Sequence, residues 1–336
     1  MALLFMDGYD HYNTAQSSWK YDGFGGTESM QVGRFGTGQA GYYGFAYYQL
    51  KILPSSYGTL IWGAAIKSSN WAQAFVNFSD GATTQLFLWC SASEGIKLYR
   101  GDNTLLATGT TPIANSRWYY IEVKFTISDT VGSCVVKIDG VTEINLTGAD
   151  TKNTANATVN QVKTGCLNGA NGVWIDDMYI CDTSGGYAND FLGDCRVETL
   201  MPNNDGSLSQ WYGSDNDQIS NYMMVDEATA ANSDTDYVKS ATVGVIDTYA
   251  MSDLAMPAGA TIFGVQQVLV ARRDNSGFRH IAPVIKTLGS YVVGTDCNLG
   301  PGYRTWASPH SLNPANDLPW TVEDINGIEF GVKVTS

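Results

Sequence analysis

Catalysis in this sequence would depend on its acidic, histidine and serine residues, and none of them is arranged as a known catalytic set. A retaining glycosidase needs two carboxyl groups about 5–5.5 Å apart. No glutamate here has a second glutamate within five positions, and Asp176 and Asp177, as neighbours on a strand, are expected to point to opposite faces. The three histidines, His11, His280 and His310, lack the context of a Ser-His-Asp site. The sequence therefore predicts a protein that is not an enzyme.

Metal ligation is the second kind of chemistry that the side chains could support. The six cysteines include no Cys-x-x-Cys pair, so a zinc site has no support. Asp205, Asp215 and Asp217 form an acidic cluster whose oxygens suit the ligand distances of calcium, about 2.3–2.6 Å. Their spacing does not match an EF-hand, and solvated turns explain the same residues. Ca²⁺ stays open as a cofactor, with Asp205 and Asp217 as candidate ligands.

Sugar binding is the third kind of chemistry, because an exposed aromatic ring stacks on a pyranose while neighbouring polar groups bind its hydroxyls. Trp211 and Tyr212 with Asp215 fit this description, and Trp306 is a further candidate. The chain has nineteen Tyr, twelve Phe and nine Trp, and the strand patterns assign most of them to the core. Core packing is therefore the alternative interpretation for each candidate.

The overall composition predicts the elements that must position these residues. Thirty-six glycines and an excess of Asp over Glu indicate many tight turns, because Asp bonds to nearby backbone whereas Glu favours helices. With β-branched and aromatic residues between the turns, this composition predicts an all-β protein. The net charge of −14 disfavours nucleic-acid binding. Since no apolar run reaches ~18 residues, membrane insertion is not expected.

Strand patterns in the first half of the chain are clearest from Trp118 to Ile127, where apolar residues occupy every second position. Such alternation marks a half-buried strand. Asp139-Gly140 follows a second strand and is a strong hairpin signal. A strand buried on both faces is predicted over 173–181. The turn residues 182–186 then mark a domain boundary, so the predicted organisation is a domain over 1–183, a linker over 184–190 and a second domain over 191–336.

The second half of the chain also consists of strand-like segments separated by turn residues, but it does not repeat the sequence of the first half. Strands are predicted over 262–272 and 278–286, and the turn residues 274–277 between them indicate a hairpin. Helical periodicity is weak throughout, and only 321–327 fits a single helical turn. A second β-sandwich is therefore predicted here. The amino terminus has no basic region before its short apolar run, so a signal peptide is not expected.

Three motifs in the first half resemble the concanavalin A-like (laminin G-like) jelly roll. They are the strand from Arg117 to Phe125, the hairpin from Val135 to Gly140, and Trp174-Ile-Asp-Asp-Met-Tyr179. The resemblance implies a β-sandwich of two antiparallel sheets over about 1–183. In some laminin G-like domains loop aspartates hold calcium, which makes Asp176 and Asp177 candidate ligands by resemblance.

Both ends of the chain resemble virion proteins of tailed bacteriophages that carry a jelly-roll domain. The matching residues are the opening from Phe5 to Tyr12, the stretch from Phe191 to Val197, and Glu329-Phe-Gly-Val332 near the end. This resemblance implies a structural component of the virion surface, on the tail, on a tail fibre or as head decoration. Its partners would be other virion proteins and copies of itself.

The function predicted from the sequence is therefore a non-enzymatic bacteriophage virion protein that mediates assembly and surface contact. It would be made in the host cytoplasm and carried on the particle. The first alternative is a carbohydrate-binding adhesin that recognises a host-surface glycan. A glycan depolymerase ranks lower, because the paired carboxylates of a glycosidase are missing.

Overall fold

The computed structural model describes residues 2–26, 28–169, 171–227 and 234–336, and it has the all-β fold that the sequence predicts. The described chain divides into two units. The first holds Tyr21–Val197 and the segment that ends at Tyr9, whereas the second holds Asp10–Lys20 and the described residues from Glu198 onward. The boundary lies after Val197 rather than within 184–190, and the transfer of 10–20 to the second unit has no counterpart in the sequence patterns.

Two antiparallel sheets make up the first unit. In the described part of the chain its strands are β1 (Leu3–Asp7), β2 (Gly23–Gly25), β3 (Ser29–Val32), β4 (Gln39–Tyr43), β5 (Tyr48–Tyr57), β6 (Thr59–Ser68), β7 (Ala72–Asp80), β8 (Thr83–Ser91), β9 (Gly95–Arg100), β10 (Leu105–Thr108), β11 (Tyr119–Thr126), β12 (Gly132–Ile138), β13 (Val141–Ala149), β14 (Val159–Gly165) and β15 (Val173–Cys181). The eight-stranded sheet has the order β13-β12-β11-β6-β15-β4-β3, and β1 also pairs with β15. The seven-stranded sheet has the order β10-β9-β8-β7-β14-β5-β2.

Aromatic rings from both sheets meet in the core of the first unit. The ring centroid of Trp62 on β6 lies 6.5 Å from that of Phe75 and 6.4 Å from that of Phe78, both on β7. Phe78 in turn lies 4.5 Å from Phe125 on β11. Full burial of one such side chain stabilises the fold by about 1.5–3 kcal/mol. The two sheets therefore pack face to face, and the predicted β-sandwich is confirmed.

The strand pattern of 118–127 and the hairpin after it are confirmed in detail. On β11 the odd positions from Ile121 to Phe125 face the core, as their alternation predicts. Asp139 and Gly140 both have positive φ, 49° and 79°, which is the geometry of a type I′ turn, and Ile138 pairs with Val141 across it. Glu122 differs from the expectation of a solvated polar face, since it is buried on the other side of the sheet.

The second unit combines one larger sheet with two short ribbons. Among the described residues its strands are β16 (Pro202–Ser209), β17 (Tyr212–Gly213), β18 (Val238–Lys239), β19 (Ile246–Met251), β20 (Val265–Ala271), β21 (His280–Thr287), β22 (Ser290–Val293), β23 (Cys297–Asn298), β24 (Arg304–His310) and β25 (Glu329–Val334). Its helices are α1 (Ser17–Lys20), α2 (Val322–Asn326) and a 3-10 helix over Asn221–Met224. The main sheet has the order β16-β19-β25-β21-β22 with β23 paired to β21, and the ribbons are β17-β18 and β20-β24.

Apolar packing joins the β20-β24 ribbon to the main sheet of the second unit. Leu269 on β20 and Trp306 on β24 pack against a buried cluster that contains Ile281 on β21 and Val332 on β25. The two layers therefore form the second β-sandwich that the sequence predicts. The early segment takes part in this unit, because the ring of Trp19 stacks on Tyr303 with a centroid distance of 5.2 Å.

The predicted hairpin around 274–277 is wrong. β20 pairs along its whole length with β24, from Val265 opposite His310 to Ala271 opposite Arg304. β21 instead lies inside the main sheet between β25 and β22. Residues 272–279 separate the two strands, which is longer than the two-residue loop of a tight hairpin. A local turn signal cannot outweigh the burial that β21 gains as an interior strand.

The single helical turn predicted over 321–327 is confirmed as α2. Thr321 caps it, because its Oγ1 accepts a hydrogen bond from the Asp324 backbone N–H at 3.1 Å while Asp324 Oδ2 accepts one from the Thr321 N–H at 3.0 Å. This reciprocal pair is a capping box. Within the described residues, no helix has the length and apolar character needed to cross a membrane.

Candidate functional site

A β-bulge in β15 determines where the carboxylates of Asp176 and Asp177 point. Asp177 has a φ of 48°, and the pairing of β15 with β6 shifts register between Asp176 and Tyr179. Both carboxylates consequently reach Arg34. Asp176 Oδ2 accepts a hydrogen bond from the Arg34 backbone N–H at 2.9 Å, and Asp177 Oδ2 lies 2.5 Å from Arg34 Nε. Both neighbours therefore contact one residue, whereas a regular strand would point their side chains to opposite faces.

The Arg34 side chain connects the bulge to the segment that follows the first sandwich. Arg34 Nη1 lies 2.6 Å from Asp194 Oδ1, and the Val197 N–H donates to Asp177 Oδ1 at 2.7 Å. Burial raises the pKa of Asp177, and the Val197 amide and Arg34 act against that rise. Since an arginine already neutralises the buried carboxylate, this arrangement fits a structural ion pair and does not fit a calcium site.

Glu122 shows why the outer face of the eight-stranded sheet is buried at this point. Its Oε1 accepts hydrogen bonds from the Tyr179 hydroxyl at 2.5 Å and from the Gly193 N–H at 2.9 Å. Phe191, Leu192 and Cys195 pack against the apolar cluster beside it. The carboxylate therefore fastens the segment 191–195 across the sheet, and its role is structural.

The acidic loop of the second unit uses its carboxylates to hold its own backbone. Asp205 accepts hydrogen bonds from the Ser220 and Tyr222 N–H groups at 2.7 and 3.0 Å. Asp215 accepts from the Asp217 N–H at 3.2 Å, and Asp217 accepts from the Ile219 N–H at 2.9 Å. Across the residues that the structure describes, no group of three or more His, Cys, Asp or Glu side chains is placed to hold a metal ion. Calcium binding by Asp205 and Asp217 stays a prediction that this geometry does not favour.

The two tryptophans proposed from the sequence for sugar stacking both contact the core of the second unit, but only Trp211 is buried there. Trp211 is only 7% exposed, its Nε1 donates to the Val245 carbonyl at 3.4 Å, and Trp306 packs against the same apolar cluster. Tyr212 is exposed on the β17-β18 ribbon, and Asp215 lies nearby in the loop that follows. The structure therefore favours the core interpretation for Trp211, whereas Trp306 is half-buried and packs on this cluster with one side.

A different set of aromatic residues lies on the outside of the seven-stranded sheet. We call this surface the binding face; its residues are Tyr48, Leu50, Asn77, Phe87, Trp89, Lys97, Tyr99 and Lys163. All eight are half-buried, whereas their strand neighbours Leu86, Leu88 and Leu98 are fully buried toward the core. The alternation places the aromatic rings on the solvent side of the sheet.

Strand pairing aligns most of the binding face into one row. Leu50 lies opposite Lys163, which lies opposite Asn77, and the row continues through Phe87 and Tyr99 to the exposed Leu105. The row crosses six strands and so spans about 24 Å at the usual strand spacing. It is long enough for an extended ligand rather than for a single small molecule.

The rings and cations of the binding face are held in fixed positions. Phe87 and Tyr99 stack with a centroid distance of 5.1 Å and an interplanar angle of 7°. Lys97 Nζ lies 5.5 Å from the ring centroid of Trp89, and Lys163 Nζ lies 5.1 Å from that of Tyr48. Cross-strand pairs of this kind stabilise a sheet by themselves. An apolar row with polar groups inside it also has the composition of a recognition surface.

The sequence contains a signal for the binding face in Gln85-Leu-Phe-Leu-Trp89. Its two leucines alternate with Phe87 and Trp89, so one pair must face outward if the other faces the core. Either pair could fill the core, and only the structure shows that the leucines do.

Comparisons with known proteins give structural likenesses only. No family model matches the chain, and no curated protein matches it. The matched structures include domain 4 of AbnA, an extracellular arabinanase from Geobacillus stearothermophilus in complex with arabinotriose, at 15% identity and a TM-score of 0.38 over 54% of this chain and 93% of that chain. The carbohydrate-binding module CBM66 from Bacillus subtilis matches at 10% identity with a TM-score of 0.32, over 46% of this chain and 92% of the module. A carbohydrate esterase from the Shiga toxin-encoding bacteriophage phi24B matches at 12% identity with a TM-score of 0.35, over 53% of this chain and 99% of that chain. Similarities at this level assign no function to the chain.

Proposed function

We propose that the first unit is a carbohydrate-binding β-sandwich that holds an extended oligosaccharide across its binding face. The row of rings and polar side chains over six strands is the observation that carries this proposal. The apolar C–H faces of sugar rings would stack on Phe87, Tyr99 and Trp89. Hydroxyl groups would bond to the ammonium groups of Lys97 and Lys163 and to the Asn77 amide.

Asn77 adds a polar argument to the aromatic one. Its Nδ2 reaches Thr84 Oγ1 only at 3.5 Å, and its Oδ1 has no hydrogen-bond partner among the described residues although it is buried. An unsatisfied buried acceptor is costly. Rotation of the amide would present Oδ1 to a sugar hydroxyl in the middle of the row, so ligand binding would remove this cost.

The experiment is a glycan-array screen of the protein followed by calorimetric titration of each bound oligosaccharide. Trp89→Ala and Tyr99→Ala should each weaken binding by about tenfold or more, because each removes a stacking surface. Phe278→Ala is the matched control, since Phe278 is 82% exposed but belongs to the second unit. A glycan that binds the wild type and both binding-face variants equally would refute the proposal.

The virion surface remains our proposed place of action, supported by the resemblance of the two chain ends to tailed-bacteriophage proteins. In that setting the protein would bind a host-surface glycan without cleaving it, next to other virion proteins and further copies of itself. Mass spectrometry and reconstruction of purified particles would locate it, and its absence from the particles would refute this part. Incubation with any bound oligosaccharide tests for cleavage, and new reducing ends would favour the depolymerase alternative.

A further inference from the structure

A second cross-strand row lies on the outer face of the eight-stranded sheet, on the opposite side of the sandwich from the binding face. We call it the Lys67 row; it consists of Tyr42, Lys67, Trp118 and Trp174. Trp174 on β15 pairs with Lys67 on β6 and with Tyr42 on β4. Since Tyr119 pairs with Ile66, Trp118 comes next to Lys67 on the other side.

The rings of this row surround the lysine. Lys67 Nζ lies 4.5 Å from the ring centroid of Trp174 and 4.8 Å from that of Trp118. Tyr42 extends the aromatic surface, with a centroid distance of 4.7 Å to Trp174. An ammonium between two indole rings is attracted to both ring faces, so its position is well defined.

The Lys67 row is accessible at its end of the sheet. The segment 191–195 covers the neighbouring cluster of Tyr120 and Tyr179 on the same outer face. Tyr42, Lys67 and Trp174 are only half-buried, and none of them belongs to that covered cluster. Trp118, the fourth member of the row, is also half-buried but packs against the covered cluster, so the row adjoins that cluster at Trp118.

The charge of Lys67 has no acidic counterpart in the described part of the chain. No carboxylate there lies within ion-pair distance of Nζ, although acidic residues outnumber basic ones 33 to 19. The nearest acid along β15, Asp176, is engaged with Arg34 and with the Asp177 N–H. Burial against the rings lowers the pKa of Lys67, and an anion beside it would offset this effect.

We propose that the Lys67 row is a second saccharide site, separate from the binding face, and that it takes a sugar that carries a carboxylate, such as a hexuronic acid residue. The indole and phenol rings offer flat apolar surface to the C–H face of a pyranose. The ammonium between them supplies the cation for the carboxylate, in a charge-assisted hydrogen bond that a neutral sugar cannot make. The proposal stands independently of the binding face.

The experiment is calorimetric titration with trigalacturonic acid and with its fully methyl-esterified form, which keeps the rings but removes the charges. Lys67→Met and Trp174→Ala should each weaken binding of the acid by about tenfold or more, whereas Lys67→Arg should retain most of it. Lys333→Met, on β25 in the second unit, is the control for the loss of one positive charge. The methyl ester should bind the wild type at least about tenfold more weakly than the acid.

Three results would overturn the proposal: no binding of the acid to the wild type, equal binding by the Lys67→Met variant, or equal binding of acid and ester. If Trp89→Ala abolishes binding of the acid while Lys67→Met does not, the binding face alone is the saccharide site. If Lys67→Met weakens binding and Trp89→Ala leaves every glycan unaffected, the present proposal holds and the proposed function of the binding face fails. Lys67→Met changes only a half-exposed side chain, so it keeps the test decisive even if Trp174→Ala does not fold.

Discussion

Replacing Arg34 with methionine should destabilise the first unit strongly, because it leaves the buried carboxylate of Asp177 without its cation. The two side chains are only 7% and 4% exposed, and the guanidinium also reaches Asp194. Removing one partner from a buried ion pair usually costs about 3–5 kcal/mol. For a unit of this size, that cost corresponds to a fall of roughly 6–20 °C in the melting temperature.

The pH dependence of this loss follows from the pKa of Asp177. Burial already raises that pKa in the folded state, and removal of Arg34 would raise it further. A carboxyl with a raised folded pKa contributes stability below its unfolded pKa of about 3.9 and loses it as the pH rises through the folded value. The penalty of Arg34→Met should therefore be largest at pH 7 and should shrink toward pH 4.

Urea titrations give the free energy of unfolding and scanning calorimetry gives the melting temperature; both are measured at pH 7 and at pH 4.5 for the wild type and for Arg34→Met. Arg117→Met is the matched control, since the Arg117 side chain is 65% exposed and its distance to Asp139 is 3.6 Å; it should cost less than about 1 kcal/mol. Adding Asp177→Asn to Arg34→Met should restore part of the stability. A loss at Arg34 no larger than the loss at Arg117 would refute the reasoning.

Two further predictions concern the second unit and the thiols. Burial acts to raise the pKa of Glu329, but hydrogen bonds from Lys286, Ser207 and Thr248 outweigh it and bring the pKa to about 2. A carboxyl whose folded pKa is lowered stabilises the fold at pH values above its unfolded pKa, and this stabilisation is lost as the pH falls toward the folded pKa. Between pH 6 and pH 2.5 the free energy of unfolding of the wild type should therefore fall by about 1–2 kcal/mol more than that of Glu329→Gln. Equal falls in melting temperature for the two proteins would contradict this. Burial also raises the thiol pKa of Cys195 to about 12 and that of Cys297 to about 11. Iodoacetamide at pH 7.5 should therefore leave the five buried cysteines and the half-buried Cys195 unmodified until urea unfolds the chain. Rapid labelling of the native protein would contradict this.

Local sequence patterns predict where the strands of this protein lie better than they predict which strands pair with each other. The alternation in 118–127 is sufficient to identify β11 and its core side, because side chains on a strand have a period of two. It cannot show that Glu122 is buried, since the segment that covers it lies about seventy residues later. The predicted hairpin at 274–277 is wrong for a similar reason. β20 pairs with β24, which lies later in the chain, and not with the strand that follows it in the sequence.

The candidate sites were harder to predict than the strands. Core and surface aromatics have the same residue types, so Trp211 and Trp89 look equivalent in the sequence although one is buried and the other is on an outer face. The Lys67 row needs side chains from four separate segments, which only the pairing of β4, β6, β11 and β15 brings together. The positive φ of Asp177 could not be foreseen either, since a non-glycine residue adopts it only where the surrounding structure enforces it.

Because Asp10–Lys20 belongs to the second unit, the order in which the chain is synthesised affects the order in which the two units can fold. When these residues are synthesised, the residues from Glu198 onward that they pack with have not yet been made, and Tyr303 follows Trp19 by about 280 residues. At ~5–20 residues per second, the intervening 21–197 take on the order of 10–40 s to synthesise. During that interval the first sandwich can form while residues 10–20, a mostly polar segment with the aromatic residues Tyr12 and Trp19, still lack the residues that they pack with. Expression of 198–336 alone would omit that segment, so studies of the second unit need a version that supplies residues 10–20 as well.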